Sequence, residues 1–327
     1  MINRGLIMER DITIYSRLKK CVSDAIPSAF KSAKFLLSIM IPVSLGVTLL
    51  KYAGILEIIA GYMDPLFKLA GLPGDAAIVF ITSICLNIYS AIAVISTIPF
   101  TGRELTILAL MCLISHSFFL ETPIQKKTGS SAAKMITVRL VYSFIGAGLL
   151  NFLMPPDSGA AVTASALISG SNNLTALLTA WASDSLLLIV EILILLSLLM
   201  IMQRILDEFG IIKWMSKTFA PLMKVLGLPE SVTFLWIVAY TLGLAYGSAI
   251  MLEESENGRL SREDADLMNH HIAISHSLLE DTLLFVAIGV PAMWIIFPRI
   301  FLSMAEVWIM RIRRLFIIRE VPACETE

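Results

Sequence analysis

"GDAAIVFITSICLNIYSAIAVISTI", residues 74–98, is apolar along most of its length but carries Asn87, Tyr89 and Ser90 near its middle. As a helix its first arm, 74–86, is about 20 Å long, short of the roughly 30 Å hydrocarbon core of a bilayer. The polar bend "NIYS" lets the chain turn back, so the stretch reads as a re-entrant hairpin. Residues 230–252 follow the same plan, with "GLAYGS" (243–248) at the tip.

Charge placement leads to the same hairpin. Cytoplasmic loops of membrane proteins are enriched in Lys and Arg. Residues 1–34 carry seven such residues, and the loop with Lys126, Lys127 and Lys134 is also basic. The stretch 204–224 and the tail from Arg311 to Arg319 are basic too, whereas 154–174 has one Asp and no base. Three apolar segments lie between the N-terminus and Lys126. Three full crossings would place Lys126 outside, so one segment must enter and leave on one side. Each half then crosses three times, and an odd count flips the second half.

The two halves are repeats. "PLFKLAGLP" (65–73) matches "PLMKVLGLP" (221–229), and "LNIYSAI" (86–92) matches "LAYGSAI" (244–250). "TGRE" (101–104) matches "SRED" (261–264), and "SHS" recurs at 115–117 and 275–277. Arg139 pairs with Arg299 and Ser143 with Ser303. Self-similarity of this kind, joined to an odd crossing count, predicts inverted-topology repeats with a site at mid-membrane. The expected architecture is all-α and integral to the membrane, each repeat having three transmembrane helices and one re-entrant hairpin. The expected divisions are a basic amphipathic segment (1–27), repeat one (28–153), an extracytoplasmic linker (154–175), repeat two (176–312) and a basic tail (313–327). Within each repeat the order is a long apolar helix (35–56; 185–205), an amphipathic helix ended by Gly-Leu-Pro, the hairpin, a helix started by a capping box at Thr101/Glu104 or Ser261/Asp264, and a helix near the arginine.

Composition agrees. The chain has 327 residues, 57% hydrophobic, and a mean hydropathy of +0.81, which fits a bilayer rather than water. A net charge of −1 implies no nucleic-acid partner. Four cysteines (Cys21, Cys85, Cys112, Cys324) form no CxxC pair. No Walker A, GxGxxG or nucleophile-elbow motif occurs, so no enzyme is expected. The N-terminal segment is read as a cytoplasmic lead-in and not as a signal peptide.

The candidate site residues lie at the tips and the SHS motifs. Asn87, Tyr89 and Ser90 at one tip, and Tyr246 and Ser248 at the other, offer hydrogen bonds where backbone must line protein or water. The bland reading is that Ser and Gly let helices pack closely. Ser115, His116, Ser117 and Ser275, His276, Ser277 sit in apolar surroundings, where a histidine marks a function by default. Such a histidine can carry a proton, contact a solute or bind a metal, or it can simply pin helices. Glu121 and Asp281 lie five residues on and share the histidine face only if the helix breaks, which the flanking serines favour. Cys112, one turn before His116, completes a soft-metal set Cys112, His116, His276 in the alternative reading. Arg139 and Arg299 are expected to snorkel to headgroups, and His270 and His271 to be peripheral. Glu191 in an apolar helix needs a partner.

On these features each half resembles a unit of the Gate ("nucleoside recognition") family of bacterial membrane proteins, over 28–153 and 176–312. Concentrative nucleoside transporters contain similar units. The resemblance implies a secondary transporter of a small polar, nucleoside-like solute, coupled to H⁺ or Na⁺. In those transporters the tips carry Gln, Thr and Glu, whereas "CLNIYSA" and "GLAYGSA" have neither acid nor Gln. The membrane part of the bacterial ferrous-iron permease is also similar, with Cys where His116 and His276 stand, which implies a divalent-metal permease. Spore-maturation-type members imply a non-transporting scaffold. The expected setting is the inner membrane with both termini inside, with lipid and a small solute or ion as partners; a homo-oligomer is compatible with the sequence, which does not fix the oligomeric state.

Single cysteines at Lys126 and at Ser158 are predicted to label from opposite faces of right-side-out vesicles, Lys126 on the side of the N-terminus. Labelling of both from outside would replace the hairpins by full crossings.

Overall fold

The computed structural model describes residues 2–156, 162, 174–241, 243, 251, 254, 257, 258 and 260–320. Every regular element among them is helical. In chain order these are α1 (Ile2–Tyr52), α2 (Ile55–Leu69), α3 (Ala76–Cys85), α4 (Ile88–Ile95), α5 (Gly102–Ile114), α6 (Phe118–Lys127), α7 (Ala132–Leu153), α8 (Leu174–Glu208), α9 (Ile211–Leu226), α10 (Thr233–Thr241), α11 (Arg262–Ile274), α12 (Glu280–Ala287) and α13 (Ala292–Glu320). Among the described residues four stretches are long and apolar enough to cross a bilayer: Gly102–Lys127, Ala132–Leu153, Leu174–Glu208 and Ala292–Phe316. The chain is a membrane protein.

The outer layer is α1 against α8. Arg17 Nε donates to Glu208 Oε1 at 2.8 Å, Arg204 Nη2 to Ser28 Oγ at 3.3 Å, and Trp181 Nε1 to Ser44 Oγ at 2.8 Å. Residue numbers rise on one helix as they fall on the other, so the pair is antiparallel. Leu187, Val190, Ile194 and Leu198 recur at helical spacing on α8 and are exposed, an apolar stripe that faces lipid. α1 runs unbroken from Ile2 through Pro27 and Pro42, so the basic lead-in and the first apolar helix are one element.

Both Gly-Leu-Pro motifs end their helices in the same way. Gly71 and Gly227 each have φ of 74°, the left-handed conformation that a side chain disfavours. Leu72 N donates to Phe67 O at 3.0 Å and Leu228 N to Met223 O at 2.8 Å, the six-to-one bond of a Schellman cap. Beyond the first cap, α3 and α4 pack on each other and meet at Asn87, whose side chain caps α4 by accepting from Ser90 N at 2.8 Å. The second tip, with Tyr246 and Ser248, lies outside the described residues, as does most of the 154–175 linker.

The centre is a cross-packed bundle. α5 is buried on all sides from Leu105 to Ile114. It packs on α7 of its own half and on α13 of the other, and α11 likewise packs on α13 and α7. Thr101 and Glu104 form the full capping box, and Ser261 caps α11 by accepting from Asp264 N at 3.1 Å. Phe67, Phe80 and Phe144 form an edge-to-face triangle with centroids 5.8–6.0 Å apart in the first half.

The loop after the first cap makes a close backbone approach. A Cβ placed on Gly74 would lie 2.2 Å from Ala60 O. Gly74→Ala is predicted to lower the apparent Tm of the detergent-solubilised protein by a few degrees, because backbone and not a flexible side chain must yield. Gly61→Ala, where a Cβ meets no atom within 4 Å, serves as the matched control and should match or slightly exceed wild type.

Candidate functional site

The site begins with two broken helices. α5 stops at Ile114 and α6 starts at Phe118. Ser117 between them has φ of 52°, and Ser277 at the equivalent break after α11 has φ of 46°. Left-handed backbone costs a non-glycine residue roughly 1–2 kcal/mol. Ties to the hairpin arms hold both breaks: Ser117 N donates to Ser83 O and Ser277 N to Ala239 O, each at 3.0 Å. Ser117 Oγ also donates to Leu86 O at 3.1 Å.

A break at this depth frees carbonyls that lipid cannot satisfy. Each has a partner. Arg139 Nε donates to Ile114 O at 2.7 Å and its Nη2 to His116 O at 2.6 Å. Ser83 Oγ reaches Ser115 O at 3.4 Å. In the second half Arg299 Nη1 donates to His276 O at 3.3 Å and Nη2 to Thr282 Oγ1 at 2.6 Å. Both arginines are fully buried, which corrects the expectation that they snorkel to headgroups. Arg139 meets backbone oxygen at its broken end and the Glu121 carboxylate, and Arg299 meets backbone oxygen and the Thr282 hydroxyl, so both guanidinium groups are partnered in the interior.

The same breaks orient the histidines. His116 Nδ1 lies 3.1 Å from Cys112 O, and His276 Nδ1 lies 2.7 Å from Ile272 O. A carbonyl only accepts, so Nδ1 carries the proton in each ring and Nε2 presents a lone pair. The two Nε2 atoms face each other at 3.1 Å, across the two halves of the chain. Glu121 Oε1 stands 3.1 Å from His116 Nε2 and 3.2 Å from His276 Nε2. Its other oxygen pairs with Arg139 Nη1 at 2.7 Å. Asp281 Oδ2 is 3.6 Å from His116 Nε2 and has no hydrogen-bond partner. All four side chains are at least nine-tenths buried.

The structure thus gathers His116, Glu121, His276 and Asp281, with the carboxylates turned onto the histidine face by the breaks. Cys112 contributes its backbone oxygen and not its sulfur to this centre, and the metal-capable group is His116, Glu121, His276. On a helix the carbonyl one turn back points forward to the ring, while the side chain tilts toward the N-terminus. Ser115 Oγ donates to Arg139 O, and Ser275 Oγ accepts from Tyr240, so both serines act on the scaffold. At the first tip Ser90 Oγ is buried without a partner. Tyr89 OH donates to Glu280 Oε1 at 3.0 Å, with Gln203 Nε2 3.4 Å from Glu280 Oε2. Glu280 and Gln203 escaped the sequence reading. The repeat places Leu120 opposite Glu280, so the self-alignment gave it no weight. Their polarity at intramembrane positions was the available signal.

His270 and His271 are buried rather than peripheral. His270 Nδ1 lies 2.7 Å from Glu306 Oε1, beside a cavity of 520 Å³ that also meets Lys134, Asp266, Arg313 and Arg314. His271 Nε2 lies 2.8 Å from Tyr240 OH. The side chain of Glu191 is outside the description.

Arg139→Met is predicted to destabilise the folded protein by about 3–5 kcal/mol, because Glu121 and two carbonyls lose their partner in a dry site. Adding Glu121→Gln should recover part of that loss. Thermal unfolding of both single variants and the double variant checks this, and strictly additive losses would show that the pair is not one unit.

The chain is similar to known proteins in three comparisons. Residues 33–147 match the family model described as Gate: Nucleoside recognition, within the 28–153 expected from sequence. The uncharacterized membrane protein YvoD of Bacillus subtilis (strain 168) is 26% identical over 276 residues, covering 84% of this chain and 88% of that protein. Among solved structures, CNTnw in an inward-facing substrate-bound state superposes with a TM-score of 0.48 at 14% identity, covering 91% of this chain and 83% of that one.

Proposed function

We propose that the protein is a membrane transporter of a small polar solute, nucleoside-like in class, built from two inverted Gate-type halves in the inner membrane with both termini inside. One observation carries the reading. Residues from both halves converge on a buried cluster of two histidines, two carboxylates and two arginines at the depth of the bundle. Ionisable groups inside a membrane mark paths for ions and solutes. The family description over 33–147 supplies the nucleoside class. Ser90 and Asp281, each with a buried oxygen lacking a hydrogen-bond partner, are the natural solute contacts.

A second reading is a non-transporting scaffold. It is favoured by Ser115, Ser117 and both histidine Nδ1 atoms, which are engaged with backbone carbonyls.

Uptake into proteoliposomes separates the two. Radiolabelled uridine and adenosine are predicted to accumulate under an inward H⁺ or Na⁺ gradient. The rate should fall at least about tenfold in Ser90→Leu and in His116→Gln/His276→Gln, with folded yield maintained. Folded wild-type protein that takes up no nucleoside under either gradient would leave the scaffold standing.

A further inference from the structure

We propose that His116, His276 and Glu121 form a binding site for one divalent first-row transition-metal ion. The proposal does not depend on solute transport, since it concerns the resting composition of the centre.

Three measurements meet here. The His116 Nε2, His276 Nε2 and Glu121 Oε1 atoms form a near-equilateral triangle with sides of 3.1, 3.1 and 3.2 Å. Donors around a tetrahedral ion at about 2.0–2.1 Å lie roughly 3.3–3.4 Å apart, so the triangle is close to one face of such a site. A single hydrogen bond joins two atoms along a line. One proton therefore relieves one side of the triangle and leaves the third acceptor unanswered. A cation above the face answers all three.

The protonation pattern matches. Both Nδ1–H groups are committed to Cys112 O and Ile272 O, which fixes the tautomer with Nε2 free, the arrangement seen around metal-ligating histidines. Arg139 holds the outer oxygen of Glu121, leaving Oε1 to face the rings. Asp281 Oδ2 is buried, lacks a hydrogen-bond partner and lies 3.6 Å from His116 Nε2, outside the group of three donors. Two imidazoles with carboxylates suit Zn²⁺, Fe²⁺, Co²⁺ or Mn²⁺, whereas Mg²⁺ and Ca²⁺ prefer oxygen alone.

The test is titration of Co²⁺, a visible-light probe, into purified full-length protein in detergent after chelator treatment. One ion per chain is expected, with the visible bands of a four-coordinate site that Zn²⁺ abolishes by displacement. His116→Gln and His276→Gln should each weaken binding at least about 100-fold, beyond the range seen for outer-shell partners. Cys112→Ser should bind as wild type, as should His270→Gln at its separate cavity. Absence of saturable binding by folded wild type, or equal binding by the His116→Gln/His276→Gln protein, would overturn the site. Should those variants fail to fold, X-ray absorption of the Zn²⁺-loaded wild type decides. Imidazole scattering without sulfur supports the proposal, and sulfur or oxygen-only ligation refutes it. Failure of nucleoside uptake alongside positive Co²⁺ binding would remove the transport reading and keep this one.

Discussion

The helix break at each SHS motif is the constraint on which the rest of the interior depends. A peptide group released from its helix in hydrocarbon must find another partner, at a penalty of several kcal/mol if it does not. In the first half Ser83, the His116 ring and Arg139 supply the partners, and the hairpin arm pins the left-handed serine. The charged residues are therefore present as part of the backbone accounting. Once Arg139 is buried to cap a broken end, Glu121 is its counter-charge, and the imidazoles follow from the same freed carbonyls.

The halves share this device but fill it differently. Arg139 binds two carbonyls of its own break, whereas Arg299 binds one carbonyl, the Thr282 hydroxyl and its own helix at Ile295. Glu121 reaches both histidines, while the shorter Asp281 stops 3.6 Å from one. Glu280, with no acidic counterpart in the first half, ties the first hairpin tip to the second half through Tyr89. The centre thus draws matching residue types from both halves and joins them by different bonds.

Much of the architecture is legible from residues alone. The Gly-Leu-Pro caps, the capping residues Thr101 and Ser261 and the break at the serines follow from local rules applied to a repeated pattern. Such rules work because caps, turns and helix breaks are decided within a few residues. Arg139 shows where they end. Lysine and arginine near a predicted helix end read as headgroup ligands, and only the packed bundle reveals two carbonyls and a carboxylate within reach of that side chain.

The tertiary structure alone decided which polar atoms of the cluster face one another. By sequence, Cys112 and Glu121 compete for the same place beside His116. The choice fell to Glu121, because the break swings α6 round while the helical tilt carries the Cys112 sulfur away. Likewise His270 and His271, which lack counterparts in the first repeat, became interior residues through Glu306 and Tyr240. The sequence by itself determined helices, caps and break points, since these are near-neighbour effects. Partners such as Tyr89 and Glu280, 191 residues apart, were set by how the two halves cross, which no local pattern encodes.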